Sequence, residues 1–203
     1  SVEILRWAKS KGWNVTAEVT PHHLLLTDEL ATTYDPLYKV NPPLRTDNDI
    51  KAVKEGLADG TIDAIATDHA PHPAQEKERP FDEAPPGMLG LETALALTLT
   101  ELVGPGLLDL PRALALLSWQ PAHLAGLADH GGPVAPGRPA HLCVFDPEAV
   151  WEVDPTKLAS RSRNTPYAGR KLTGRVRHTL LPGEPVVIGA DLNKASYQSL
   201  FLP

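Results

Sequence analysis

Residues 61–72 read TIDAIATDHAPH, a short apolar run without polar alternation that ends in an acid, two histidines and a proline. A strand of that kind is buried on both faces, as in a parallel sheet covered by helices. Parallel neighbours require a long crossover, usually a helix. The preceding TDNDIKAVKEGLADG supplies one, with Thr46 and Asp49 spaced as a capping box and Gly60 as the stop. Further upstream, WNVTAEVT is rich in β-branched residues and predicts a strand over 13–20, closed by Pro21. Before it, Val2, Ile4, Leu5 and Ala8 recur at helical spacing up to Gly12. Downstream, LETALALTLTELVG and LPRALALLSWQ read as helices, the second stopped by Pro121. The fold class is therefore α/β with repeated strand–helix units, and in such folds the chemistry collects in the loops after the strands. A closed (β/α)8 barrel takes about 250 residues, and only two strand–helix units are visible here.

After Gly126 the texture changes. HLCVFD, VWEV, GRVRHTLL and EPVVI are short strand patterns separated by glycine and proline turns, which predicts a small β appendage over 127–189. The remaining residues, 190–203, match no motif and stay an unassigned tail.

The net charge of −6 and the lack of any lysine or arginine run leave no electrostatic footprint for nucleic acid. The arginines of RSRNTPYAGRKLTGRVR alternate with turn residues and read as a solvated surface. A single cysteine, Cys143, excludes an internal disulfide framework and fits a reducing, cytoplasmic compartment. Its setting in HLCVF predicts a buried structural thiol, and the four tryptophans read as core and interface filler. No apolar stretch approaches the roughly 20 residues of a membrane span. The chain opens on a helix already under way and its sole methionine is Met88, so we expect an excerpt from a longer polypeptide.

Two clusters follow the predicted strands. In TDHAPH, Asp68 stands at the strand tip, where a carboxylate either binds a metal and moves a proton or caps a turn through backbone N–H groups. Pro71 turns the chain between His69 and His72, so His72 either faces the site beside Asp68 or sits in a solvated loop. In TPHH, adjacent residues of an extended chain face opposite ways, so at most one of His22 and His23 points inward. Direct ligation and a supporting hydrogen bond are both open to it. In NPPLR the prolines fix where Asn41 presents its amide, and in APPGMLG the pair Pro86–Gly87 makes a tight turn that admits close approach to a ligand; an ordinary turn is the simpler reading of both from the residues alone.

VTAEVTPHHLLL, KVNPPLR, DGTIDAIATDHAPH, EK, APPGMLGLETAL and SRNTPYAG, in this order and spacing, closely resemble bacterial class I dihydroorotases over residues 1–188. The resemblance implies the C-terminal part of a (β/α)8 TIM-type barrel over 1–126, followed by a small β-sandwich appendage. It implies a zinc-dependent cyclic amide hydrolase of pyrimidine biosynthesis that interconverts N-carbamoyl-L-aspartate and L-dihydroorotate at a pair of zinc ions. Asp68 would be a metal ligand and the general acid/base, while Asn41, His72, Pro86 and Gly87 would hold the substrate. The other metal ligands of the family lie upstream of the segment matching Ser1, so this chain alone is expected to be inactive. A homodimer or a complex with aspartate transcarbamoylase is the implied assembly. A non-catalytic partner of that enzyme and a hydantoinase or allantoinase are the competing readings.

Overall fold

The structure is a computed structural model that describes residues 1–193 and Ala195. The expected tail therefore falls largely outside the described residues. Helix α1 (Val2–Ser10) buries Val2 and Ala8 and ends at Gly12, whose φ of 75° lets the chain reverse. Arg6 pairs with Asp59 and Lys9 with Asp63, both at 2.6 Å, tying α1 to the far end of α2 (Asp47–Ala58). The predicted capping box opens α2, since Thr46 Oγ1 accepts from Asp49 N–H and the Asp49 carboxylate accepts from Thr46 N–H.

Strands β1 (Glu18–Val19) and β2 (Ala64–Ile65) pair in parallel, Glu18 opposite Ala64 and Val19 opposite Ile65, as the apolar run required. The strand predicted over 13–20 shrinks to two residues. At Ala17 the carbonyl still accepts from Asp63 N–H at 2.8 Å, but the Ala17 N–H donates to the Asp63 carboxylate at 2.9 Å instead of to a backbone carbonyl. Val19, Leu24, Leu57, Ile65, Leu102 and Leu116 fill the core around this pair.

Downstream, LETALALT begins as a turn and becomes α4 (Ala94–Thr98), which runs directly into a π-helical turn over Leu99–Val103. The last predicted helix is two. Helix α5 (Leu110–Leu117) is capped by the Asp109 carboxylate on Arg112 N–H. The chain breaks at Ser118 (φ −130°, ψ −84°) and restarts as α6 (Trp119–Leu124). Pro121 thus lies in the first turn of α6, where no amide donor is needed, and does not stop the helix. Between β2 and α4 the long loop carries one short helix, α3 (Ala74–Lys77). No helix among the described residues is long and apolar enough to cross a membrane.

The appendage, among the described residues, is one antiparallel sheet in the order β3–β4–β5–β6 rather than two facing sheets. Its strands are β3 (Leu142–Glu152), β4 (Lys171–Leu181), β5 (Glu184–Ile188) and β6 (Asp191–Leu192), the last lying beyond the expected limit at 189. HLCVFD and VWEV are the two arms of β3, joined by an irregularity that Asp146 holds by accepting from Glu148 and Ala149 N–H. Cys143 is exposed, not buried, because β3 is an edge strand with a free face. Trp7, Trp13 and Trp119 are also exposed; Trp151 is half-buried and donates to the Gly174 carbonyl at 2.9 Å. Val153, Tyr167 and Leu172 join Met88 and Leu97 in a second core that fastens the sheet to the α/β part.

Candidate active site

Strand β2 delivers Asp68 on a backbone with φ +46°, a region that aspartate tolerates better than most residues. Its carboxylate is about half exposed (47%) and lies 4.0 Å from Nε2 of His22. His22 is buried (1% exposed), on a 3₁₀ turn over His22–Leu24, and its Nε2 has no hydrogen-bond partner. A protonated His22 would attract Asp68, but burial, with His23 beside it, pushes the imidazole down to about 3. The ring facing Asp68 is therefore neutral.

His23 turns the other way. Its Nε2 donates to the Pro42 carbonyl at 3.1 Å, so its Nδ1 accepts from the Thr20 hydroxyl at 2.6 Å. TPHH thus serves both neighbouring loops: His22 flanks Asp68, and His23 steadies the exposed Asn41–Pro42–Pro43 loop, whose Asn41–Pro42 bond is cis. His69 Nδ1 accepts from the N–H groups of Gly90 and Leu91, which places its proton on Nε2.

Beyond Asp68 the loop pairs with the APPGM turn: His69 lies opposite Met88, and Ala70 N–H donates to the Met88 carbonyl at 3.0 Å. His72 Nε2 lies 3.1 Å from the Pro86 carbonyl and Nδ1 3.3 Å from a Glu76 carboxylate oxygen. Both neighbours are acceptors, and each ring nitrogen reaches one of them as a donor when it carries a proton. Gly87, at φ +135°, has no room for a side chain: a Cβ would sit 2.6 Å from Ala70 Cβ and 2.9 Å from His72 Nε2. Gly87 N–H donates to the Lys39 carbonyl at 2.8 Å, which ties this turn to the backbone two residues before Asn41.

His72, Pro86 and Gly87 therefore form one hydrogen-bonded cluster, with Asp68 on the same loop and Asn41 on the loop bonded to Gly87. Three residues that sequence reasoning missed complete the framework. Lys77 Nζ donates to the Pro85 and Gly87 carbonyls at 3.1 and 3.0 Å, and burial followed by the nearby Lys39 holds its amine below the usual lysine range. Lys39 Nζ donates to the Phe81 and Asp82 carbonyls. Asn164 joins Ala70, His72 and Gly87. The stretches EK and SRNTPYAG contain two of them, but a side chain that serves only distant carbonyls has no local sequence signature.

No group of three or more His, Cys, Asp or Glu able to hold a metal ion occurs among the described residues. Asp68 and the unpartnered His22 are two donors, short of the four that zinc takes in a structural site or the three of a catalytic one.

The chain is 55% identical over 192 residues to a dihydroorotase of Streptomyces coelicolor, covering 95% of the chain and 45% of that protein. It is 50% identical over 184 residues to a dihydroorotase of Mycobacterium tuberculosis, covering 91% and 43%. Among solved structures, an L-hydantoinase (dihydropyrimidinase) from Arthrobacter aurescens superposes with a TM-score of 0.86 at 32% identity, over 94% of this chain and 43% of that one. A dihydropyrimidinase from Brevibacillus agri gives 0.85 at 25% identity, over 95% and 43%. The chain spans less than half the length of each. The family model described as "Amidohydrolase family" matches residues 15–186, most of the chain. The chain belongs to the amidohydrolase family.

Proposed function

We propose that this chain is part of a dihydroorotase, which interconverts N-carbamoyl-L-aspartate and L-dihydroorotate. The observation that carries the reading is the His72–Pro86–Gly87 cluster, set beyond the C-terminal end of β2 on the same loop as Asp68. The 50–55% identity to dihydroorotases supports it. In this reading residues 1–126 are a portion of a (β/α)8 barrel and the sheet that follows is its appendage.

Asp68 is the general acid/base. In the hydrolytic direction its carboxylate takes the proton of the water that adds to the ring carbonyl, then returns it to the departing ring nitrogen. His72, held between Glu76 and the Pro86 carbonyl, is the group that meets the substrate carboxylate, as a hydrogen-bond donor. Asn41 offers its exposed amide, and the Pro86–Gly87 turn meets the substrate through its backbone. Asp68 is also a zinc ligand in this reading. Among the described residues the donors do not complete a site for one zinc, let alone two, and in this reading the remaining ligands come from polypeptide beyond this chain.

The likeness to hydantoinase structures favours a second reading, a cyclic amidohydrolase acting on hydantoins. Hydantoins carry no carboxylate for His72 to engage, so we rank it below. Retention of Asp68, His72 and Asn41 argues against a non-catalytic partner of aspartate transcarbamoylase. The test is Asp68→Asn in the full-length enzyme, assayed on dihydroorotate. Asparagine tolerates the same positive φ, so the fold is kept, and turnover is expected to fall about 10³-fold. Near-normal turnover in that variant, or hydrolysis of hydantoins alone, would overturn the reading.

A further inference from the structure

We propose that Asn164 is a positioning residue that sets His72 and the Pro86–Gly87 turn in working register; this rests on the functional reading above and deepens it. Asn164 is 6% exposed and lies 92 residues along the chain from His72, in the segment leading from a 3₁₀ turn at Pro155–Lys157 to β4. Its Oδ1 accepts from His72 N–H at 3.2 Å. Its Nδ2 donates to the Ala70 carbonyl at 2.9 Å and to the Gly87 carbonyl at 3.3 Å. Its own backbone carbonyl accepts from Leu89 N–H at 3.0 Å. The orientation of the amide follows from its partners, because a backbone N–H only donates and a carbonyl only accepts.

One planar group therefore joins both limbs of the site, the DHAPH loop at two points and the PPGM turn at one. Lys77 holds the Gly87 carbonyl from another direction, and the Lys39 carbonyl accepts from the Gly87 N–H. With both ends of Gly87 held, the Pro86 carbonyl is presented to His72 Nε2 at 3.1 Å. All the Asn164 contacts fall C-terminal to Asp68, so losing them disturbs the substrate-holding side more than the proton-transfer side. Alanine would remove the Asn164 donor from the Ala70 carbonyl, leave the Gly87 carbonyl to Lys77 alone and take the side-chain acceptor from His72 N–H. Aspartate would turn a carboxylate onto the same carbonyls until it takes up a proton and regains one donor.

The experiment compares wild type, Asn164→Ala and Asn164→Asp in the full-length enzyme, with KM and kcat for dihydroorotate measured from about pH 8 to about pH 5. Asn164→Ala is expected to raise KM about tenfold or more while kcat stays within about threefold. Asn164→Asp is expected to be the worse variant at about pH 8 and to approach or pass Asn164→Ala as the pH falls. Parallel losses in kcat and KM, or identical pH profiles for the two variants, would overturn the proposal. A second readout is independent of turnover: the ring nitrogen signals of His72 in ¹⁵N NMR are expected to move in both variants at neutral pH. If wild type does not turn over dihydroorotate, the functional reading fails and the NMR comparison still decides. Unchanged His72 signals would then overturn the role of Asn164.

Discussion

A buried imidazole with a ring nitrogen that has no hydrogen-bond partner is tolerable only while it is neutral, and His22, through its Nε2, is in that position. Two effects oppose each other there: attraction to Asp68 at 4.0 Å, and the loss of solvation on a ring that is 1% exposed. Burial prevails, and the ring is held at about 3 against an ordinary value of 6.5. Between those values the unfolded chain binds a proton that the folded chain refuses. Stability is therefore complete above about pH 6.5 and declines as the pH falls toward about 3. Near pH 5 the linked loss is about 2 kcal/mol. Urea unfolding of wild type and His22→Gln at about pH 7 and about pH 5 checks this: wild type should lose about 2 kcal/mol more than the variant over that interval. Equal losses would show that His22 is protonated in the folded state. The sequence made it legible that only one of the two histidines faces inward. Which one was not legible, because the chain at Pro21 enters a 3₁₀ turn instead of remaining extended. A strand tip, a proline bend and a Pro-Gly turn are local features, which is why Asp68, His72 and Gly87 stand out as candidates in the sequence; Asn164 and Lys77 act only across the fold.

Between elements, the junction of the π-helical turn with β4 shows why some boundaries could not be read locally. LETALALTLTELV carries an ordinary helical pattern, yet Gly104 N–H bonds to the Leu99 carbonyl at 2.8 Å, five residues back. The widened turn lets the Thr100 hydroxyl accept from Thr173 N–H of β4 at 2.8 Å, so the irregularity is matched to a strand 73 residues away. Gly174 makes the close approach possible. Its φ is +96°, and a Cβ there would lie 2.3 Å from Leu99 Cδ1. Glu101 in the same turn pairs with Arg170. Gly174→Ala therefore combines an unfavourable φ with overpacking and should destabilise the chain by about 2–4 kcal/mol. The midpoint of urea unfolding measures it, and an unshifted midpoint would mean that Leu99 repacks freely. The capping box of α2 and the parallel pairing of β2 were predictable because one is set within four residues and the other by a run of apolar side chains. The break at Ser118 and the continuity of β3 were not, since both depend on what packs against them.

For the molecule as a whole, the surfaces left open argue that the site is shared with other polypeptide. The parallel sheet is a pair, β1 with β2, among the described residues. A two-stranded parallel sheet leaves unpaired edges that a barrel would close. On the helical side, Trp7 and Trp13 stack edge to face at 5.2 Å with half or more of each exposed, beside Ile4 at 69% exposure. Large apolar groups clustered on one surface mark a covered face. The donor set points the same way, since no described cluster of three or more metal-binding side chains exists around Asp68. We therefore expect the purified 203-residue chain, supplied with zinc, to give no detectable cyclisation of N-carbamoyl-L-aspartate. Mixing it with the separately produced N-terminal portion of the same enzyme should restore turnover and shift tryptophan emission to the blue as Trp7 and Trp13 leave water. Zinc-dependent turnover by the chain alone would refute this, because the ligands would then have to lie within it. Restored turnover without a change in emission would place the covering segment elsewhere than on α1.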